Sequence, residues 1–119
     1  MELDKKVKAG VRLSQVKRFL EHSKFSETDL MRTAGIPAST WARRKKEGKL
    51  NAAESERVTR LARLFSHAEA VLNGARNAKN WMEREQAALE WRRPVDLAET
   101  TFGAEEVEDL LSRIEYGVF

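Results

Sequence analysis

Apolar positions recur along this chain at spacings of three and four, and no segment alternates over enough residues to make a strand. Between Val7 and Glu21 they fall at Val7, Val11, Val16, Phe19 and Leu20, which predicts a first helix with Ser14 as an interior start. Ser26 and Asp29, three apart, form an acid-for-Glu variant of the capping box and open a second helix whose buried side is Leu30, Met31 and Ala34. Gly35 should end it, because a residue tolerant of positive φ sits easily there. Ile36 is expected in the turn's core. Pro37 suits the first turn of a third helix, since its missing N–H would have had no helical partner. That helix should run to Glu47 and stop at Gly48, with Trp41 facing inward.

Asn51 is a plausible N-cap for a long helix from Ala52 to Leu72, carrying Val58, Leu61, Leu64, Phe65, Ala68, Val71 and Leu72 on one stripe. Asn73-Gly74 ends it. Beyond, the pattern predicts a helix over Ala78–Ala88 that buries Trp81 and Met82, and a short helix from Pro94 to about Thr100. With Gly103 as separator, a last helix should run from Ala104 to Tyr116, its core stripe being Val107, Leu110, Leu111 and Ile114. Glu105, Glu106, Glu108 and Asp109 crowd its first turns, where the helix dipole favours them. The fold class is therefore all-α. The expected division is 1–74, a helix-turn-helix region with its long connecting helix, and 75–119, a second small helical domain.

Charge changes this picture more than composition does. Residues 1–50 hold 13 Lys and Arg against 6 Asp and Glu, a balance of +7, whereas residues 51–119 hold 9 against 13, a balance of −4. A basic half beside an acidic half suggests two partners of different sign. On charge alone, a solvated cationic face explains the first half as well as nucleic acid does. Hydrophobic content of 41% with 34% charged residues is a soluble globular mixture, and no apolar run is long enough for a membrane span. The lysine-rich start does not read as a signal peptide, and there is no cysteine for a disulfide or thiolate site. A cytoplasmic location is the expectation.

Ser26 to Gly48 reads as helix, glycine-containing turn and cationic second helix, the helix-turn-helix plan in which the second helix enters the major groove. It resembles the DNA-binding part of Xre-type regulators through Leu30, Ala34-Gly35-Ile36, Trp41 and Gly48, with Pro37 where the family often opens its recognition helix on Ser or Thr. Ser39, Thr40, Arg43 and Arg44 are candidates for base edges, since Arg pairs with guanine through two bonds and short hydroxyls approach either edge. Lys45, Lys46 and Lys49 suit phosphates; if about four were neutralised per monomer, log K would fall against log salt with a slope of roughly −3.6. Trp41 reads as a core anchor. Operators are usually read by dimers, so a homodimer is expected, through the long helix or the C-terminal domain.

Near the C-terminal end stand Trp81, Ala88-Leu89, Pro94, Asp96-Leu97, Thr100, Gly103, Val107, Leu111 and Ile114-Glu115-Tyr116-Gly117. Through these landmarks about the last forty residues resemble the toxin-binding domain of the Xre/MbcA/ParS antitoxin family. Glu85-Gln86 stands where the family has Pro-Asn, and Glu90-Trp91 where it has Gly-Gly; without glycine the second turn is expected to be built differently. The resemblance implies an antitoxin of a RES-type toxin that degrades NAD, neutralised when the antitoxin's C-terminal end covers its NAD cleft. By the same implication Arg113, Glu115, Tyr116, Gly117, Val118 and Phe119 contact the toxin. Arg and Tyr are favoured interface anchors, and a carboxylate such as Glu115 could pair with basic groups that otherwise receive NAD phosphates.

No enzyme is expected. The six glycines are scattered singly, His22 and His67 lack ligand spacing, and no nucleophile has a recognisable setting; no cofactor and no metal are expected. Two rivals remain at this level: a stand-alone Xre-like repressor whose C-terminal domain only dimerises, and an adaptor that binds another protein through its acidic half and no longer binds DNA.

Overall fold

A computed structural model describes residues 10–117; Val7, Val118 and Phe119 lie outside the described residues. All regular elements among the described residues are helical, in the order α1 (Leu13–Ser23), α2 (Glu27–Ala34), α3 (Ala38–Glu47), α4 (Ala52–Leu72), α5 (Ala75–Glu83), a 3-10 turn (Ala87–Leu89), α6 (Pro94–Leu97) and α7 (Thr101–Tyr116). The chain divides into two compact units, Met1–Thr59 and Arg60–Phe119, with the division inside α4.

In the first unit α1 begins at Leu13, not at Ser14 or upstream of Val11. Val11 is fully buried and extended: its N–H donates to the Ser55 hydroxyl at 2.8 Å and its carbonyl accepts from Leu50 N–H at 2.9 Å. Those long-range bonds replace helical ones, which is why the apolar spacing overran the true start. Ser26 caps α2 as expected, its hydroxyl accepting from Asp29 N–H at 3.0 Å, while the Asp29 carboxylate turns to Arg32 at 2.6 Å. Gly35 sits at φ +67, and an added Cβ there would lie 3.3 Å from the Arg57 guanidinium that holds the Ala34 carbonyl. Pro37 is the N-cap of α3 rather than its first helical residue. Leu30, Ile36, Trp41 and Leu50 are buried with Val11 and Val16.

Asn51 and Glu54 cap α4 reciprocally, each side chain accepting the other's backbone N–H, at 2.8 and 3.0 Å. In the second unit α5 starts directly after Gly74 and ends at Glu83, not at Ala88. The Gln86 amide donates to the Trp81 carbonyl at 2.9 Å, filling the acceptor that a continuing helix would use. Met82 is fully buried, but Trp81 is only half-buried. α6 packs on both α5 and α7. Gly103 does not separate helices; it lies in the first turn of α7, after an N-cap at Thr100 whose hydroxyl accepts Gly103 N–H at 2.9 Å. A Cβ at Gly103 would stand 2.2 Å from the Leu97 carbonyl oxygen, so glycine is needed for close approach to α6 and not for a turn. Val107, Leu110 and Leu111 are buried as the pattern predicts, and Ile114 is half-buried.

Candidate functional site

Two candidate sites can be followed, one in each unit. The first is the outer face of α3. Trp41 is turned inward: it is buried, and its indole N–H donates to Glu27 at 2.9 Å. At 100° per residue, Ser39, Arg43 and Lys46 then share the opposite side, and all three are exposed. Thr40 is half-buried, and Lys49, past the end of the helix, is exposed. Arg43 reaches Glu47 at 3.4 Å, with 62% of its side chain still exposed.

Arg44 and Lys45 are placed differently. Arg44 grips the buried Glu54 with two nitrogens, at 2.8 and 3.2 Å, and also reaches Glu47 at 3.1 Å. It therefore ties α3 to the start of α4. Burial alone would raise the Glu54 pKa; the bonds from Arg44 and from Asn51 N–H outweigh that and hold it below its ordinary value. Lys45 lies over the Trp41 ring, 5.5 Å from its centroid, and pairs with Glu27 at 2.8 Å. The Lys45 and Trp41 bonds hold the Glu27 carboxyl below the usual range. Beneath this cluster is a groove of about 410 Å³ lined by Leu13, Val16, Leu20 and Trp41. Residue type alone does not single out Glu27 or Glu54, although the three-residue spacing of Asn51 and Glu54 is a readable cap signal.

The second site is the far end of α7. Arg113, Glu115 and Tyr116 are exposed, Tyr116 by 75%, and Gly117 closes the helix at φ +67 with its N–H on the Ile114 carbonyl. Glu115 is not isolated: His67 of α4 contacts it at 3.2 Å and Glu108 at 2.5 Å. Burial would lower the His67 pKa, but the hydrogen bonds it donates to Glu108 and then Glu115 prevail and raise it above 6.5. Arg60, nearer the helix start, holds the Ala98 and Glu99 carbonyls and the Thr101 hydroxyl at 2.9 to 3.1 Å, so both ends of α7 are fastened to α4.

The turn before α6 contradicts the sequence expectation. Glu90 and Trp91 adopt left-handed backbone at φ +57 and +65 despite lacking glycine. The conformation is enforced by its closure: Trp91 N–H donates to the Gln86 carbonyl at 2.9 Å, Gln86 N–H to the Arg92 carbonyl at 3.2 Å, and Leu89 anchors the loop in the core.

Residues 2–63 match the antitoxin Xre-like helix-turn-helix domain, and residues 67–117 match the antitoxin Xre/MbcA/ParS C-terminal toxin-binding domain. The chain belongs to the Xre/MbcA/ParS antitoxin family. It is 34% identical over 111 residues to Antitoxin Xre of Photorhabdus laumondii subsp. laumondii, covering 92% of this chain and 75% of that protein. It is 37% identical over 95 residues to Antitoxin Xre of Yersinia enterocolitica, covering 78% of this chain and 64% of that one. As an Xre-type antitoxin the chain pairs a helix-turn-helix, which implies DNA, with a domain that implies a cognate toxin. The outer face of α3 lies in the first matched segment and the exposed end of α7 in the second. No helix among the described residues is long and apolar enough to cross a membrane, and no group of three or more metal-ligating side chains is assembled there.

Proposed function

We propose that this antitoxin neutralises a RES-type, NAD-degrading toxin in the cytoplasm and represses its own operon. Arg113, Glu115, Tyr116 and Gly117, with Val118 and Phe119 beyond them, cover the toxin's active site. Ser39, Thr40, Arg43 and Lys46 meet operator DNA, with Lys49 at the phosphates, and a homodimer reads two half-sites. Arg44 positions α3 through Glu54 rather than reaching a base edge, and Lys45 divides its charge between Glu27 and the DNA backbone.

The observation that carries the toxin half is the family's toxin-binding domain ending in a solvent-exposed Arg113 and Tyr116. An arginine and a tyrosine displayed together are typical interface anchors. The DNA half rests on a recognition helix whose outer face is cationic and uncovered. The experiment is induction of the neighbouring gene, alone and with this antitoxin, while growth and cellular NAD are followed. Depletion of NAD and arrest by the neighbour, both reversed by the antitoxin, is the expected result. A harmless neighbour, or arrest without rescue, refutes the reading.

A further inference from the structure

We infer that the toxin contact is not confined to the chain's C-terminal tip but extends along α7 to the Glu90-Trp91 turn, with Phe102 and Trp91 as its anchors. This rests on the toxin-binding reading above. The large apolar side chains exposed among the described residues are Trp91 at 66%, Phe102 at 81% and Tyr116 at 75%, and all three lie in the C-terminal unit. Isolated exposed apolar residues are ordinary; an ordered set of them marks a binding surface.

The set is ordered by helix geometry. At 100° per residue Phe102, Asp109, Arg113 and Tyr116 fall within a narrow stripe, opposite the buried Val107 and Leu111, with the buried Leu110 to one side. Phe102 and Tyr116 stand about 21 Å apart along it, a span suited to a standard protein interface. The Trp91 backbone is tied to this helix through its neighbour: Arg92 pairs with Glu106 at 2.6 Å, one helical turn from Phe102.

The backbone at Trp91 gives an independent reason. A tryptophan at φ +65 is unfavourable, because left-handed backbone crowds any Cβ. Its ring gains little from folding, being two-thirds exposed. A strained position whose side chain contributes little to the core is where function, not stability, selects the residue. Trp is also the side chain most enriched among interface anchors.

The occupant is the cognate toxin, not a second copy. Trp91, Phe102 and Tyr116 all fall inside residues 67–117, the toxin-binding match, and the stripe is continuous with Arg113 and Tyr116. Glu105 and Asp109 flank the aromatic anchors with negative charge, which suits the basic, phosphate-receiving cleft of the proposed toxin.

The test uses the full chain and the purified toxin encoded beside it, with Kd, antitoxin oligomeric state and Tm measured for three forms. These are the double variant Trp91→Gly with Phe102→Ala, Trp91→Gly alone, and a chain lacking residues 116–119. The double variant should bind about 100-fold more weakly or worse, with its oligomeric state unchanged, as loss of two interface anchors predicts. Trp91→Gly alone should keep or raise Tm, because glycine accepts the left-handed backbone. A wild-type Kd for the double variant, beside lost binding by the truncated chain, overturns the extended surface and leaves the toxin-binding reading standing. A wild-type Kd for every form defeats both. A dissociated antitoxin with unchanged toxin Kd makes the stripe a contact between copies and overturns the inference. A lowered Tm for Trp91→Gly would show that the tryptophan serves the fold, and overturns it likewise.

Discussion

In the N-terminal unit the tryptophan of α3 is buried and its N–H is spent on Glu27, while the outer face of that helix carries Ser39, Arg43 and Lys46. In the C-terminal unit Phe65 is buried among aliphatic side chains, but three further aromatics, Trp91, Phe102 and Tyr116, stand in solvent. On the proposed function, the difference follows from what each surface would meet. A polyanion is gripped by mobile charges that stay hydrated until contact, and an exposed aromatic adds little there. A protein surface is gripped by rigid apolar anchors that exclude water. On that reading, the same helical architecture serves two chemistries by exchanging which residue class faces out.

The sharpest way to break this contrast is at Gly103. An added methyl would collide with the Leu97 carbonyl at 2.2 Å, so Gly103→Ala must push α7 away from α6. We expect a loss of about 1 to 3 kcal/mol in stability, read by denaturant unfolding, together with weakened toxin binding. Retention of wild-type stability would mean that the two helices are not held this closely.

Within α3, Arg43 and Arg44 separate contact from support. Arg43→Ala should weaken operator binding by about 1 to 3 kcal/mol and relax its sequence preference in a gel shift series. Arg44→Ala should instead lower Tm, because Glu54 is left buried without its partner, and should leave the salt dependence of DNA binding unchanged. Equal effects on salt dependence would erase the distinction.

The smallest effect concerns His67, which links α4 to the C-terminal end of α7. Its folded pKa is raised above 6.5, so the stability it adds is fully present below about pH 6.5 and is lost as pH rises through the folded value. Thermal unfolding of wild type and His67→Gln should therefore differ more at pH 6 than at pH 8.5. A difference that grows with pH would contradict the ion-pair account.

Much of the architecture was legible in the sequence because local chemistry set it. Ser26, Gly35, Asn51, Asn73-Gly74 and the stripe Val107, Leu110 and Leu111 all act within a few residues of themselves. The errors fall where distant atoms intervene. Val11 has helical spacing, but Ser55 and Leu50 claim its backbone. Ala88 continues an apolar pattern, but Gln86 occupies the Trp81 carbonyl. Gly103 looks like punctuation, and its reason is the carbonyl of a neighbouring helix. At the candidate sites, residue type and spacing picked out the cationic helix, and the family resemblance implied the C-terminal tip. It could not show that Arg44 and Lys45 are committed to Glu54 and Glu27, because those partners lie 10 and 18 residues away. Nor could it show the exposure of Phe102, since the helix that displays it starts at Thr101 rather than Ala104.

The central claim, that toxin and DNA are met by separate surfaces of opposite character, is tested most directly by deleting residues 116–119. Neutralisation of the toxin and binding of the purified chain to its promoter would be measured side by side. The account predicts that neutralisation is abolished while promoter binding keeps its affinity and salt dependence. Preserved neutralisation, or parallel loss of both activities in a chain that still unfolds cooperatively at the wild-type Tm, would contradict it.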